Sequence, residues 1–313
     1  MTPDSLTAYT AIVNGCGIAD VSDHARLWAE GRDRIDLIHR MSTNDLLNMA
    51  ENEGRATVLT TAVARMVDRI VVINLAERAL VLGSAGMAPA IRRWLAGYIF
   101  FQDEVRFVDA TAGSGQFVLF GPTAGAVAEA LIPGAGALQP FNVLRREGLV
   151  LGRGDPLAGS SFFGVASKDQ LTRWTSASAA AGAVAADREL YQLLRVESGL
   201  PEIGHEIGEG YIPLEAGLWG DVSFTKGCYI GQEIIARMES RGKLAKRLMG
   251  VRAEGPLTVG AEFEGGVVTS AAHSPRLGWI GLAFVRTARA EPGAGVDIAG
   301  TRATIAALPF EAQ

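Results

Sequence analysis

Gly242 divides this chain of 313 residues into two kinds of pattern, and that division constrains the fold more than any other feature. Beyond it the helical period stops, and only short apolar runs remain, at 248–252, 267–270, 279–285 and 304–308, set between glycines and prolines. Regular short strands of this kind predict a small antiparallel barrel. A boundary between 242 and 243 follows, with a larger region over 1–242 and a barrel over 243–313.

Upstream, strands alternate with helices in two similar rounds. In the first, residues 70–75 and 79–82 read as strands joined at Ala76, Glu77 and Arg78, with a helix over 90–96 after Ser84 and Pro89. A helix over 32–47 precedes them, with Ile35, Leu37, Ile38, Met41 and Leu46 on its apolar side. In the second, 117–120 is a strand and 122–131 a helix with Pro122 in its first turn. Strands at 149–151 and 162–166 follow, and Ser167 with Gln170 makes a capping-box pattern for a helix through Leu171 and Trp174. The small-residue run 176–186 is either the end of that helix or a connection within the domain. Residues 187–198 form a further helix that stops at Gly199 and Pro201. The predicted class is α+β, with two α/β sandwich subdomains ahead of the C-terminal antiparallel β-barrel.

Bulk properties narrow the function. A hydrophobic content of 48% is enough for two or three packed units, and a net charge of −5 argues against wholesale nucleic-acid binding. Two cysteines, Cys16 and Cys228, make no disulfide framework, and neither has a CxxC or histidine-rich surrounding that would suggest a metal site. The first thirty residues lack a basic segment followed by an apolar run. The most apolar stretch, 69–83, is broken by Asn74, Glu77 and Arg78 well short of a membrane span. These features point to a cytoplasmic protein with no membrane partner.

Chemistry concentrates at 226–237, KGCYIGQEIIAR. Cys228 lies two residues after Lys226 and just ahead of a predicted helix over 231–239; a nearby cation and a helix N-terminus both raise the thiolate fraction. Glu233 and Arg237 are spaced i,i+4 with the acid first, the favourable order. The competing reading is a buried, inert cysteine in a strand-to-helix turn. Cys16, between glycines, reads as structural and in a turn.

KGCYIGQE followed by Arg237 resembles the signature of the YgfZ family, folate-binding proteins related to the glycine-cleavage T-protein. Segments 17–45 (ending in Thr43, Asn44 and Asp45), 120–124, 195–206, 212–218 and 267–286 are similar to that superfamily in the same order. The resemblance implies three units in a ring around a central pocket for tetrahydrofolate or a one-carbon derivative. It also implies a role in assembly or repair of iron–sulfur proteins, with transient client proteins, an effect on iron–sulfur enzymes such as those modifying tRNA, and Cys228 as the functional thiol activated by Lys226. A lone cysteine does not hold a stable cluster, so no resident metal is expected.

A pterin edge offers N–H donors that a carboxylate accepts in pairs. Glu197, in the segment matching the superfamily, and Glu215 are the candidates, against the plainer reading of solvated or ion-paired acids. Among the cations Lys226, Arg237, Arg241, Lys243, Lys246 and Arg247, Arg237 alone is assigned to the folate tail, because it shares the helix of the motif. Tyr229, Gln232 and Asn44 complete the implied cofactor contacts. One departure bears on catalysis. Where T-proteins begin a strand with paired acids, this chain has Asp68 followed by Arg69, and arginine is no general base at neutral pH. That weakens an aminomethyltransferase or demethylase reading, unless Asp68 itself takes the role. An RNA-binding module is a third alternative.

Overall fold

The computed structural model describes residues 2–242 and 244–311. In chain order the elements are α1 (Pro3–Val13), β1 (Cys16–Asp20), β2 (His24–Glu30), α2 (Arg34–Met41), β3 (Gly54–Thr60), β4 (Met66–Asn74), β5 (Arg78–Ala85), α3 (Ala88–Ala96) and β6 (Arg106–Asp109). They continue with β7 (Ser114–Gly121), α4 (Ala124–Leu131), β8 (Val143–Arg146), β9 (Leu149–Arg153), β10 (Ser160–Ser167), α5 (Lys168–Ala180), β11 (Ala183–Ala185), α6 (Arg188–Glu197) and α7 (Gln232–Arg241). Six strands end the chain: β12 (Lys246–Ala253), β13 (Glu262–Phe263), β14 (Gly266–Ser274), β15 (Gly278–Arg286), β16 (Gly295–Ile298) and β17 (Thr301–Ala306).

Three sheets result. The first is antiparallel in the order β3-β4-β5-β2-β6. The second, β11-β1-β7-β10-β9-β8, is antiparallel except where β11 joins β1 in parallel. The third is a closed barrel, β12-β15-β14-β13-β16-β17.

The run Ile70-Val71-Val72-Ile73 in β4 is apolar on every residue because both faces of its sheet are covered. Ile70 and Val72 pack with Leu37, Ile38, Ile91 and Leu95 of α2 and α3. Val71 and Ile73, on the opposite pleat, pack with Val143, Phe163 and Val165 of the second sheet. The outer face of the second sheet is covered in turn, with Phe117, Leu119 and Phe162 against Val127, Leu131 and Trp174 of α4 and α5. The two sheets therefore face each other, with helices outside.

Several local expectations change for physical reasons. The two rounds are interleaved rather than consecutive, because β1 crosses into the second sheet. The helix expected over 32–47 stops at Met41, since Ser42 turns extended and returns its hydroxyl to the Ile38 carbonyl at 2.7 Å. Residues 176–186 hold both the end of α5 and the edge strand β11. Ser167 is the N-cap of α5 without a side-chain capping bond. Cys16 begins β1 rather than sitting in a turn; it is buried, and burial pushes its thiol up to about 11.

The fully buried Arg26 joins the first two sheets. From β2 its guanidinium donates to Ser114 Oγ (2.8 Å) and to the carbonyls of His24 (2.8 Å), Ser22 (2.9 Å) and Thr111 (3.0 Å). Among the described residues it has no ion-pair partner, so its charge rests on backbone carbonyls and neutral side-chain oxygens. Replacing it strands several buried acceptors. Arg26→Met is expected to lose about 3 kcal/mol or more of stability in urea unfolding, with Arg26→Lys recovering only part because an ammonium reaches at most three acceptors.

Candidate functional site

Where the facing sheets part, they leave a cavity of about 230 Å³, closed on its third side by α6 and the segment after it. Its apolar wall includes Val71, Leu82, Val118, Phe141, Phe163 and Leu218; its polar groups are His24, Arg69, Gln116, Asp155, Tyr191, Arg195 and Glu202. A flat ring with an apolar body and polar edges suits such a lining.

Strand alternation decides which of Asp68 and Arg69 reaches it. Asp68 shares the helix-facing side of β4, is fully buried, and accepts from Ser84 Oγ (2.5 Å), Ser84 N (3.0 Å) and Arg69 N (2.9 Å). Burial, partly offset by those donors, pushes its carboxyl up to about 6. It does not line the cavity. Arg69 does, and its guanidinium is clamped between two acids: bidentate to Asp155 (2.6 and 3.0 Å) and bonded to Asp221 through Nε (2.5 Å). Both acids hold it charged. The cavity thus meets a neutralised cation at the position where the sequence comparison expects a carboxylate.

The 226–237 segment folds elsewhere. Lys226 is buried and its ammonium donates to the carbonyls of His39 (2.5 Å), Ser42 (2.8 Å) and Asn44 (2.9 Å). It supplies the donors that α2 lacks at its C-terminal end. All three protons are committed to backbone oxygens, so Lys226 has none left to donate to Cys228. Burial pulls its pKa down to about 8. Asn44 is also structural, donating to the Ala56 and Gly220 carbonyls at 2.8 and 3.1 Å. Tyr229 is buried with Ala64, Ile212, Val222 and Ile235, and burial raises its phenol to about 12.

Thr60 Oγ1 reaches the Ile230 carbonyl at 2.6 Å. Gly231, at φ 84°, passes so close to the loop before β4 that a Cβ would lie 2.8 Å from the Thr61 oxygen. Cys228, between the Lys226 and Gly231 anchors, is exposed. Gln232 opens α7 half-buried, and exposed Arg237 pairs with Glu233 at 2.7 Å, the i,i+4 contact its spacing predicts. Of the remaining cations, Lys246 lies over the Tyr211 ring at 4.4 Å and Arg247 lines a hollow with Glu215 and Trp219. The Arg241 side chain and Lys243 fall outside the described residues.

The two expected pterin acids are also separate from the cavity. Glu197 is buried where α1, α6 and the barrel meet, accepting from Tyr9 (2.9 Å), Ser274 (2.6 Å) and Arg276 (3.0 Å). Glu215 is buried, accepts from Ile212 N at 3.2 Å, and is raised by desolvation. Neither lines the central cavity, and neither do Asn44, Lys226, Cys228, Tyr229, Gln232 and Arg237.

Apart from Arg69, the polar groups that do line it were not singled out in the sequence. A usable signal existed on α6, where Tyr191 and Arg195 are spaced i,i+4 and so share a face, while Glu197 points away from it. Arg195 is fixed by buried Glu206 at 3.1 Å and by Ser270 at 2.8 Å.

Fold and cavity together define a class, a ring-like scaffold of two facing α/β layers closed by a helix and a small barrel. Two family models match, the GCVT N-terminal domain over residues 3–146 and the glycine cleavage T-protein C-terminal barrel domain over residues 244–310. The chain belongs to the glycine-cleavage T-protein family.

It is 27% identical to a chloroplastic protein of Arabidopsis thaliana named as a transferase, over 98% of this chain and 74% of the relative. It is 28% identical to the aminomethyltransferase of Symbiobacterium thermophilum, over 93% and 84%. A shorter match, 39% identical over 32% of this chain and 31% of the relative, is to the mitochondrial iron–sulfur cluster assembly factor IBA57 of Mus musculus. The aminomethyltransferase T structure of Bartonella henselae superposes with a TM-score of 0.87 at 20% identity, covering 98% of this chain and 89% of that one. No described helix is long and apolar enough to cross a membrane.

Two variants separate scaffold from cavity. Lys226→Met strands three buried carbonyls and is expected to cost about 1–3 kcal/mol in chemical unfolding, with faster amide exchange in the last turn of α2. Glu197→Gln is expected to lower stability by a similar amount while leaving occupancy of the central cavity unchanged in a ligand titration.

Proposed function

We propose that this chain is a tetrahydrofolate-binding accessory protein of the YgfZ type, acting in assembly or repair of iron–sulfur proteins, with Cys228 as its working thiol. The observation that carries the reading is Arg69. It occupies the cavity position from which a T-protein carboxylate would assist the folate amine, and Asp155 and Asp221 hold it there as a cation. Asp68 faces the other side of its strand. The acids that do line the cavity are committed, Asp155 to Arg69 and Glu202 to Gln192 and Arg195, so a bound reduced folate meets no free carboxylate at the position from which aminomethyl transfer would take its proton.

Val71, Leu82, Val118 and Phe163 would hold the faces of the pterin ring. Gln116, Glu202 and Arg195 would meet its polar edge, a set that replaces Glu197, Glu215, Asn44, Tyr229, Gln232 and Arg237. The folate supplies one-carbon or redox chemistry when bound. Cys228, reachable at the surface between the Lys226 and Gly231 anchors, is placed to meet a client protein and exchange with a thiol or ligate iron transiently; both need the thiolate. The name of the mouse relative supports the iron–sulfur part of the reading. Those of the bacterial relatives support the alternative, a tetrahydrofolate-dependent aminomethyltransferase or demethylase.

Calorimetric titration with tetrahydrofolate is expected to give one site, lost at least tenfold in Val118→Phe, which fills the cavity, and kept in Cys228→Ala. In cells lacking the protein, a cluster-dependent dehydratase should regain activity with the wild type and not with Cys228→Ala. Tetrahydrofolate-dependent turnover of an aminomethyl donor would favour the alternative, and absence of folate binding would remove both.

A further inference from the structure

His24 sits where the central cavity meets a second hollow. That hollow, of about 310 Å³, opens to the surface and is lined by Asp20, Asp23, Arg188, Tyr191 and Glu202 as well as His24. His24, Tyr191 and Glu202 also line the central cavity, so these three form the partition between the two. The imidazole is aimed there by a β-bulge: His24 pairs with Ala85 while Ala25 pairs with Gly83, leaving Ser84 unpaired and turning the first residue of β2 inward. Neither ring nitrogen makes a hydrogen bond among the described residues, and the half-buried side chain lines both hollows.

We propose that His24 is a ligand-recognition residue of the central cavity, bonding as a neutral imidazole to the polar edge of the bound ring and giving up any proton it carries when the ring enters. The inference rests on the folate reading above. Its sign follows from the surroundings. Burial already disfavours the charged imidazole; Asp23 on the preceding turn and Glu202 across the partition favour it, while Arg26 on the same strand and Arg188 of α6 oppose it. Across the cavity lie Arg69, held by Asp155, and Arg195, held by Glu206. A flat uncharged ring displaces water from the imidazole without adding an anion beside it, which penalises the charged form further. Ligand binding and protonation of His24 therefore compete. A neutral imidazole offers one donor and one acceptor, matching the mixed edge of a pterin amide.

The test is calorimetric titration of the full chain with 5-formyltetrahydrofolate, a stable reduced folate, from pH 5 to pH 8 in two buffers of different ionisation enthalpy. Wild type is expected to bind several-fold more weakly at pH 5 than at pH 7, with net proton release in that interval. His24→Leu, which removes both ring nitrogens, should bind about tenfold more weakly than wild type at pH 7, the loss of one hydrogen bond, and show a shallower dependence on pH. The same slope and proton count in both proteins would overturn the assignment of His24 alone. No binding by wild type at any pH would overturn the folate reading and this inference with it. A readout in the wild type needs no variant: at pH 6, added ligand should move the His24 ring-proton resonance toward its neutral position, and movement toward the charged position contradicts the proposal.

Discussion

The ion-pair cluster of Arg69 with Asp155 and Asp221 is the contact on which the rest of the molecule depends, because its members come from three parts of the chain. Arg69 lies on β4 of the first sheet, Asp155 follows β9 of the second, and Asp221 precedes the loop that carries Cys228. Such a cluster, half-hidden from water, gives less net stability than its short distances suggest, since each charge loses hydration. Its effect is on register. Removing Arg69 leaves two acids without their cation, whereas removing either acid leaves Arg69 paired to the other.

Two features follow from one arrangement of strands. Pleating sends Asp68 toward the helix layer and Arg69 toward the cavity, so the pocket keeps its shape while losing an acid. The loop after Asp221 is then held by Lys226, which spends its ammonium on the open end of α2, and by the close pass of Gly231 beside Thr61. With both sides fixed, the residue between them, Cys228, is presented to solvent. The cavity is internal and the thiol external, which suits a protein that carries a small molecule and meets a larger partner.

Much of the architecture was legible in the sequence, and the reasons are particular. The barrel declares itself by short strands between glycines, although β13 and β16 are too short or too polar to register. The hairpin of β4 and β5 and the helices α3, α4 and α6 follow from period and caps. What was not legible depends on contacts distant in sequence. The crossing of β1 into the second sheet is set by pairing with Phe117–Phe120, a hundred residues away. The carbonyls left open where α2 stops are satisfied by Lys226, far along the chain. The site divided in the same way: the exposure of Cys228 and the Glu233–Arg237 pair could be anticipated locally, whereas Glu197 looked like a ligand contact only because nothing local reveals that Tyr9, Ser274 and Arg276 converge on it.

The central claim is that a reduced folate occupies the cavity between the sheets, beside a clamped arginine rather than an unpaired carboxylate. A crystal structure of the protein soaked with 5-formyltetrahydrofolate addresses it most directly. The account predicts ring density between Val71, Val118 and Phe163, with Arg69 still bonded to Asp155 and Asp221. Density at Glu197 or beside Cys228, or an Asp68 side chain swung into contact with the ring, would contradict it.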